Sequence, residues 1–170
     1  SITNSKNSGN ITVNKPNSSN NSGVGGIVGK IDAGYGEEEI KIDNCSNTGI
    51  VFGNGNHVSG IASVNVGAIV QNSYNTGSIN SSQGVVGGIV GDSFLDSNNK
   101  PIIRNCYNTG NINSQGIISG HIDSHVGGIV AGNYGTVNEC WNSGKIAGIS
   151  VIGGICGINY DSISDSYNIG

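Results

Sequence analysis

Six near-copies of one eight-residue sequence constrain what this chain can fold into. Each copy begins with Ile or Val, has Asn at its sixth position and ends with Gly, as in Ile103-Arg-Asn-Cys-Tyr-Asn-Thr-Gly110. The copies begin at Ile2, Ile42, Val70, Ile103, Val137 and Ile163. Repeats at intervals of about 20 to 50 residues are typical of solenoids, propellers and repeat arrays.

A second element, Gly-Gly-Ile, alternates with these octets. Four copies contain Ile27, Ile89, Ile129 and Ile155. The remaining interval offers Ser59-Gly60-Ile61 and Gly67-Ala68-Ile69. Counting along the sequence, Ile61 lies 14 residues before Asn75, close to the 13 residues found in the last two units, whereas Ile69 lies only 6 residues before it. Spacing therefore identifies Ile61 as the fifth equivalent.

These repeats predict an all-β fold, a parallel β-helix (β-solenoid) of about five turns with loop insertions and almost no helix. The apolar residues are mainly Ile and Val, which favour strands, and no segment has helical periodicity. A propeller blade needs about 40 residues, more than the shortest repeat provides. We expect two or three short strands per turn, with successive turns stacked about 4.8 Å apart.

The chain is predicted to form a single domain, residues 1–170. The expected turns are approximately 2–41, 42–69, 70–102, 103–136 and 137–162, with the start of a sixth at 163–170. Insertions should fall at two points of the repeat only. One follows the octet, near 12–22 and 113–124, and the other follows Gly-Gly-Ile, near 30–39 and 92–100. Insertions confined to fixed points indicate loops on a solenoid.

The repeated Asn of the octet predicts a structural ladder, because a solenoid places each copy above the preceding one. An Asn side chain can donate its amide to the next Asn and tolerates bent backbone. We expect the Gly two residues later to adopt positive φ. A ligand-binding role is disfavoured, since the amides would bond to each other. The ladder comprises Asn7, Asn47, Asn75, Asn108, Asn142 and Asn168.

The residue before the repeated Asn is aromatic in four octets, giving Tyr74, Tyr107, Trp141 and Tyr167. Such a column could stack on sugar rings, which makes it a candidate glycan contact. Alternatively, the rings pack on each other, each pair contributing about 0.5–1.5 kcal/mol. We favour self-packing.

Three of the four cysteines, Cys45, Cys106 and Cys140, alternate with Ser at one octet position, which indicates a small buried site. Cys106 and Cys140 fall in neighbouring turns, where their Cα atoms would be close enough for a disulfide. Their parallel side chains would be poorly oriented for it. Cys156 replaces Val in the Gly-Gly-Ile element. We expect free thiols and no zinc site.

His121, Asp123 and His125 alternate, so on a strand they would face one side and could bind a metal. They lie in an insertion, and a solvated loop is the favoured interpretation, so we predict no metal and no cofactor. The acidic run Glu37-Glu38-Glu39 is likewise interpreted as a solvated loop. Asp43 and Glu139 are the only carboxylates considered for glycoside chemistry, and they lie three turns apart.

Charge and hydropathy exclude further classes of function. Seven scattered Lys and Arg residues and a net charge of −4 make no footprint for nucleic acid. No run of about 18 apolar residues predicts a membrane span. With no paired carboxylates and no His-Glu-x-x-His motif, we expect no enzymatic activity.

The sequences Val86-Gly-Gly-Ile-Val-Gly91 and Asn105-Cys-Tyr-Asn-Thr-Gly110 resemble the GLUG motif repeats of bacterial surface proteins. The resemblance extends over the whole chain, and those repeats occur in large secreted or wall-attached proteins, including adhesin-like proteins and IgA-cleaving peptidases. It implies an extracellular or cell-surface location and an adhesive or accessory role without catalytic residues. The expected partners are flanking repeats, copies of the chain stacked end to end into a fibre, or a host surface or glycan.

Overall fold

The computed structural model is a parallel β-solenoid whose strands form five sheets, which we name A to E. It describes residues 1–14, 23–34, 39–54, 57–82, 84–116 and 124–170. The chain passes through the sheets in the same order in every turn, and each strand pairs in parallel with its equivalents above and below. The predicted all-β solenoid is confirmed. Each turn has five short strands, however, where two or three were predicted.

Sheets A and B contain the octets and have six strands each. Sheet A stacks β1 (Ile2–Thr3), β6 (Lys41–Asp43), β11 (Ile69–Gln71), β16 (Ile102–Arg104), β21 (Thr136–Asn138) and β26 (Ser162–Ser164). Sheet B stacks β2 (Lys6–Asn7), β7 (Ser46–Asn47), β12 (Tyr74–Asn75), β17 (Tyr107–Asn108), β22 (Trp141–Asn142) and β27 (Tyr167–Asn168).

Sheets C, D and E have five strands each. Sheet C stacks β3 (Ile11–Val13), β8 (Val51–Gly53), β13 (Ile79–Ser81), β18 (Ile112–Ser114) and β23 (Ile146–Ala147). Sheet D stacks β4 (Gly23–Gly25), β9 (His57–Ser59), β14 (Val85–Gly87), β19 (His125–Gly127) and β24 (Val151–Gly153). Sheet E stacks β5 (Val28–Asp32), β10 (Ala62–Val66), β15 (Val90–Phe94), β20 (Val130–Asn133) and β25 (Cys156–Asn159).

Two bends explain why each turn has so many strands. The third octet residue, between sheets A and B, has φ between 47° and 52° in all six copies. These residues are Asn4, Asn44, Asn72, Asn105, Glu139 and Asp165. The second bend is the Gly-Gly-Ile element between sheets D and E. Its backbone hydrogen bonds join Ile27 to Ile61 at 3.1 Å and Ile61 to Ile89 at 3.1 Å, so Ile61 is the fifth equivalent that spacing predicted.

Two columns of buried Ile and Val side chains fill the interior. One cluster combines the first octet residues of sheet A with the Gly-Gly-Ile residues and the cysteines; Ile42, Ile61 and Ile103 are fully buried within it. The other lies between sheets C and D and includes Val58 and Ile79. Because the same residue types recur in every turn, the apolar core by itself hardly distinguishes one turn from the next.

The longer connections lie at the two points predicted for insertions, between sheets C and D and between sheets E and A. The described part of the second type includes residues 95–101, between β15 and β16. Most of the predicted insertions at 12–22 and 113–124, and part of that at 30–39, lie outside the described residues. Nothing helical in the described residues has the length and apolar character needed to span a bilayer.

Candidate functional site

The repeated Asn side chains form a hydrogen-bonded ladder through the interior, with one rung per turn. Each Nδ2 donates to the Oδ1 of the Asn in the following turn at 2.7 Å, from Asn7 to Asn47 and onward to Asn168. Each Nδ2 also donates to the carbonyl of the Gly two residues later, as from Asn75 to Gly77 at 2.7 Å. The four central Asn residues are fully buried. Their amides are consumed within the protein, so the ladder's chemistry is structural.

The prediction of positive φ at the octet Gly is wrong. None of the octet glycines is among the described residues with positive φ, and the left-handed bend lies at the third octet residue instead. Gly is required because the turns approach closely: a Cβ on Gly77 would lie 1.9 Å from the carbonyl oxygen of Gly49. At Gly9, in the first turn, the nearest atom to such a Cβ is 3.7 Å away.

The octet aromatic residues stack on one another along sheet B. Ring centroids are 4.9 Å apart for Tyr74 and Tyr107, 4.6 Å for Tyr107 and Trp141, and 6.3 Å for Trp141 and Tyr167. The ring planes are within 7° of parallel. Tyr74, Tyr107 and Trp141 are half-buried, whereas Tyr167 is 53% exposed. Tyr107 and Trp141 each have a ring on both faces, so these two inner rings present their edges to solvent.

The three octet cysteines share the hydrogen-bonding role of the serines they replace. Cys106 Sγ donates to the Arg104 carbonyl at 3.2 Å, and Ser73 Oγ donates to the Gln71 carbonyl at 2.7 Å. All four cysteines are free thiols. Burial raises the pKa of Cys106 well above its ordinary value and that of Cys156 to about 12. Both thiols therefore remain protonated at neutral pH and are poor nucleophiles.

The two carboxylates considered for glycoside chemistry do not converge. Asp43 is in the second turn and Glu139 is at the sheet A–B bend of the fifth, so about 14 Å of stacking separates them. Hydrogen bonds from Asn72 and Gln71, at 2.8 and 2.9 Å, lower the pKa of Asp43. A glycosidic general acid needs a raised pKa. Of the acidic run, Glu37 and Glu38 lie outside the described residues, and Glu39 pairs with Lys41.

The histidines lead to a group that the sequence analysis missed. His121 and Asp123 lie outside the described residues, whereas His125 contacts Asp92. His125 Nε2 lies 2.9 Å from Asp92 Oδ1, and His57 Nε2 lies 3.0 Å from Asp92 Oδ2. We call His57, Asp92 and His125 the triad. Each is at least 92% buried, since their exposed fractions are 8%, 6% and 8%.

The triad connects three consecutive turns. His57 belongs to β9, Asp92 to β15 of the next turn and His125 to β19 of the turn after that. Burial disfavours the charged form of Asp92 and is the largest influence on its pKa, but the hydrogen bonds and charges of His125 and His57 outweigh it and lower the pKa. Asp92 is therefore an ionised acceptor between two Nε2–H donors. His57 Nδ1 is buried and has no hydrogen-bond partner.

A signal for the triad was present in the repeat. His57 and His125 occupy the same position, four residues before the Ile of their Gly-Gly-Ile elements, where the intervening turn has Val85. Asp92 likewise occupies a column that holds Val64 in the turn below. Polar residues at apolar repeat positions indicated a buried contact, but only the stacking of sheets D and E brings them together.

A second, shorter ladder in sheet E was also missed. Asn133 Nδ2 donates to Asn159 Oδ1 at 2.8 Å and to the Gly135 carbonyl at 2.9 Å. The sequence Asn133-Tyr134-Gly135 repeats the Asn-x-Gly spacing of the octet, which could have identified it. Tyr134 stacks on Tyr160, with ring centroids 4.3 Å apart, and packs at a 31° tilt against Phe94, with centroids 5.4 Å apart.

Within the part of the chain that the structure describes, no three or more His, Cys, Asp or Glu side chains are grouped to hold a metal ion. In the triad, the two Nε2 atoms contact different oxygens of the Asp92 carboxylate and do not converge on one point. Comparisons with family models, with curated proteins and with solved structures found no match.

Proposed function

We propose that this chain is a non-catalytic structural repeat region of an extracellular bacterial protein, acting as a stiff spacer or adhesin scaffold. The observation that carries this proposal is the Asn ladder, which runs without interruption from the first turn to the sixth. A continuous ladder beside parallel sheets resists bending, because bending would stretch buried hydrogen bonds. The extracellular or cell-surface location follows from the resemblance to GLUG repeats.

The last turn provides a surface on which the solenoid can continue. Its exposed apolar side chains include Ile163, Tyr167 and Ile169, with 37%, 53% and 73% of their surface accessible, and Val151 and Ile152 lie on the same end. Asn168 Nδ2 reaches only the Gly170 carbonyl, at 3.5 Å, so the ladder ends in an available donor. The first turn has the matching acceptor, Asn7 Oδ1, which accepts the Gly9 N–H at 3.2 Å and has a second lone pair. Flanking repeats and a second copy are the two partners that fit.

A second copy of this chain stacked on the last turn would leave some strands unpaired. Sheets A and B have six strands, whereas the other three have five. If a copy placed β1 on β26 and β2 on β27, its strands in sheets C, D and E would lie two rung spacings from their partners. Three of the five sheets would then lack a paired rung. A fibre of copies would need to tolerate this gap.

Sedimentation over a concentration series, followed by electron microscopy of the concentrated sample, tests the proposal. A spacer is expected to remain a monomer at every concentration. Filaments with an axial repeat of about 29 Å, six rungs, would favour end-to-end assembly of copies. A compact closed oligomer would contradict both arrangements. Ile169→Ser serves as the control, because it makes the last turn more polar and should abolish filaments.

The alternative proposal is a glycan-binding module that uses Tyr74, Tyr107, Trp141 and Tyr167. Half-exposed aromatic residues favour it, and Tyr167 has one ring face uncovered. Stacking of the inner rings weighs against it, because sugars bind aromatic faces. Binding of the wild type and of Tyr167→Ala to a glycan array tests this alternative. Binding by the wild type that the substitution abolishes would support it. No binding by either protein would contradict it. Enzymatic action on carbohydrates is a remoter alternative, for which Asp43 and Glu139 are too far apart.

A further inference from the structure

Among the described residues, the triad occurs once, whereas the octets and the Gly-Gly-Ile elements recur in successive turns. In sheet D its column reads Gly23, His57, Val85, His125 and Val151 from the first turn to the fifth. In sheet E the corresponding column reads Lys30, Val64, Asp92, Gly132 and Ile158. The sheet D column therefore has His in turns two and four, and the sheet E column has Asp in turn three only.

We propose that His57, Asp92 and His125 form a register key, a contact that obliges turns two, three and four to stack consecutively and in order. Such a key is needed because the apolar columns and the Asn ladder are nearly the same in every turn. A chain that looped out one whole turn would still stack Ile on Ile and Asn on Asn. The repeated features therefore stabilise the coil without specifying which turn follows which.

Omission of any one of the three turns breaks the triad. Without turn three, the two imidazoles would occupy adjacent rungs with no carboxylate between them. Without turn two, Asp92 would face Gly23 in place of His57. Each error leaves a buried polar or charged group without its partner, which costs far more than the hydrogen bond itself contributes.

Omission of turn four is opposed by steric fit as well. Gly132 lies beside the carboxylate, and a Cβ there would be 2.4 Å from Asp92 Oδ1 and 2.9 Å from His125 Nε2. If turn five were stacked directly on turn three, Ile158 would take the place of Gly132, and its side chain would collide with Asp92. Val151 would also replace His125. Gly132 and His125 together therefore specify that turn four follows turn three.

The triad is not required for stability, because the same columns accept apolar residues in neighbouring turns. Val85 and Val64 occupy these columns and are 4% exposed. Replacing a buried ionic group by apolar residues of suitable size is often neutral or stabilising. The unpartnered Nδ1 of His57 adds to the cost of keeping the triad. A role in specifying the order of the turns explains why the triad is present although it does not increase stability.

The test measures how many turns lie between two labels. Ser8 and Ile169 occupy equivalent exposed positions, five rungs or about 24 Å apart. Ser8→Cys and Ile169→Cys would carry nitroxide labels for pulsed electron paramagnetic resonance, with Cys156→Val in every protein to remove the partly exposed native thiol. Each labelled protein is measured before unfolding and after refolding. Every omitted turn shortens the distance by about 5 Å.

We expect the protein with its triad to refold to a single distance. The variant His57→Val, Asp92→Val, His125→Val should refold to a mixture in which shorter distances appear, with a melting temperature no lower than that of the wild type. Asn75→Ser is the matched control: it should lower the melting temperature and keep a single distance. A single unshortened distance in the triple variant, or its failure to fold, would overturn the proposal.

Discussion

The Asn ladder and the triad are both buried hydrogen-bond systems that join successive turns, but they differ in repetition. Every rung of the ladder has the same residue and almost the same 2.7 Å bond, so any turn can stack on any other. The triad joins one aspartate and two histidines, and it occurs at one place in the described residues. Repeated contacts hold all the turns together equally, whereas a unique contact specifies which turns are neighbours. A solenoid with only the first would be stable yet poorly defined in its order of turns.

The two systems also differ in charge. Asn side chains are neutral at all pH values at which proteins fold, and the ladder amides from Asn7 to Asn142 each donate to the next turn. Asp92 is ionised and depends on two imidazoles for its stabilisation in a buried site. Solution conditions can therefore act on the triad while leaving the ladder unchanged, which allows experiments to separate them.

The largest effect is expected where the ladder's turns approach most closely. Gly77→Ala would put a Cβ 1.9 Å from the backbone oxygen of Gly49, and neither backbone can move without separating the turns. We expect a loss of more than about 3 kcal/mol in the free energy of unfolding, measured by urea denaturation. Gly9→Ala occupies the same column with 3.7 Å of clearance and should change stability by less than about 0.5 kcal/mol. Equal losses in the two variants would contradict the close-approach explanation.

Removal of one central rung is expected to have the next largest effect. Asn75→Ala deletes the donor to Asn108 and to the Gly77 carbonyl and also the acceptor of the Asn47 amide, so three buried groups lose a hydrogen bond. We expect a loss of about 2–3 kcal/mol in urea denaturation, since each unsatisfied buried group costs about 1–3 kcal/mol. Asn168→Ala, at the exposed last rung, is the control and should cost less than about 1 kcal/mol. If both substitutions cost the same, burial does not determine the strength of the ladder.

The contrast between the two systems also explains what the sequence could predict. The ladder was predictable because six octets supply six aligned examples of Asn, and a parallel solenoid is the simplest fold that stacks them. The fold class followed from the same repetition. The purpose of the octet Gly was misassigned because sequence reveals that Gly is required but cannot distinguish positive φ from close approach. That distinction depends on the distance between the backbones of Gly77 and Gly49.

The triad could not be derived in the same way, because it has no second example in the chain. His57 and His125 share a repeat position, but nothing in the sequence indicates that Asp92, in another strand of another turn, lies between them. The number of strands per turn was underestimated for a related reason. The bend at Asn44 and its equivalents divides a continuous-looking octet into two strands, and only its backbone angle shows this.

Acid should distinguish the triad from the ladder. Because the pKa of Asp92 is lowered in the folded protein, its stabilising contribution is complete above the unfolded value of about 4 and is lost as pH falls through the lowered pKa. Between pH 5 and pH 2 we expect the wild type to lose more stability than the triple valine variant of the triad. The measurement is urea denaturation at stepped pH values. Parallel pH profiles for the two proteins would show that Asp92 has no such effect.

The smallest effect is expected at the bend between sheets A and B, where repetition is incomplete. Glu139 has φ 52°, a left-handed conformation that Asn tolerates better than Glu, and Asn occupies this bend in four of the six octets. In the turn below, Asn105 Nδ2 donates to Asn72 Oδ1 at 2.6 Å, and Glu139→Asn would add an equivalent amide above Asn105. We expect a gain of about 1 kcal/mol in the free energy of unfolding, measured by urea denaturation. Asn105→Glu, the reverse exchange one turn below, should lose a similar amount. Because all turns share the bend, we expect both variants to refold to the single distance between the labels at Ser8→Cys and Ile169→Cys. A mixture of distances in either variant would mean that repeated positions also specify the order of the turns.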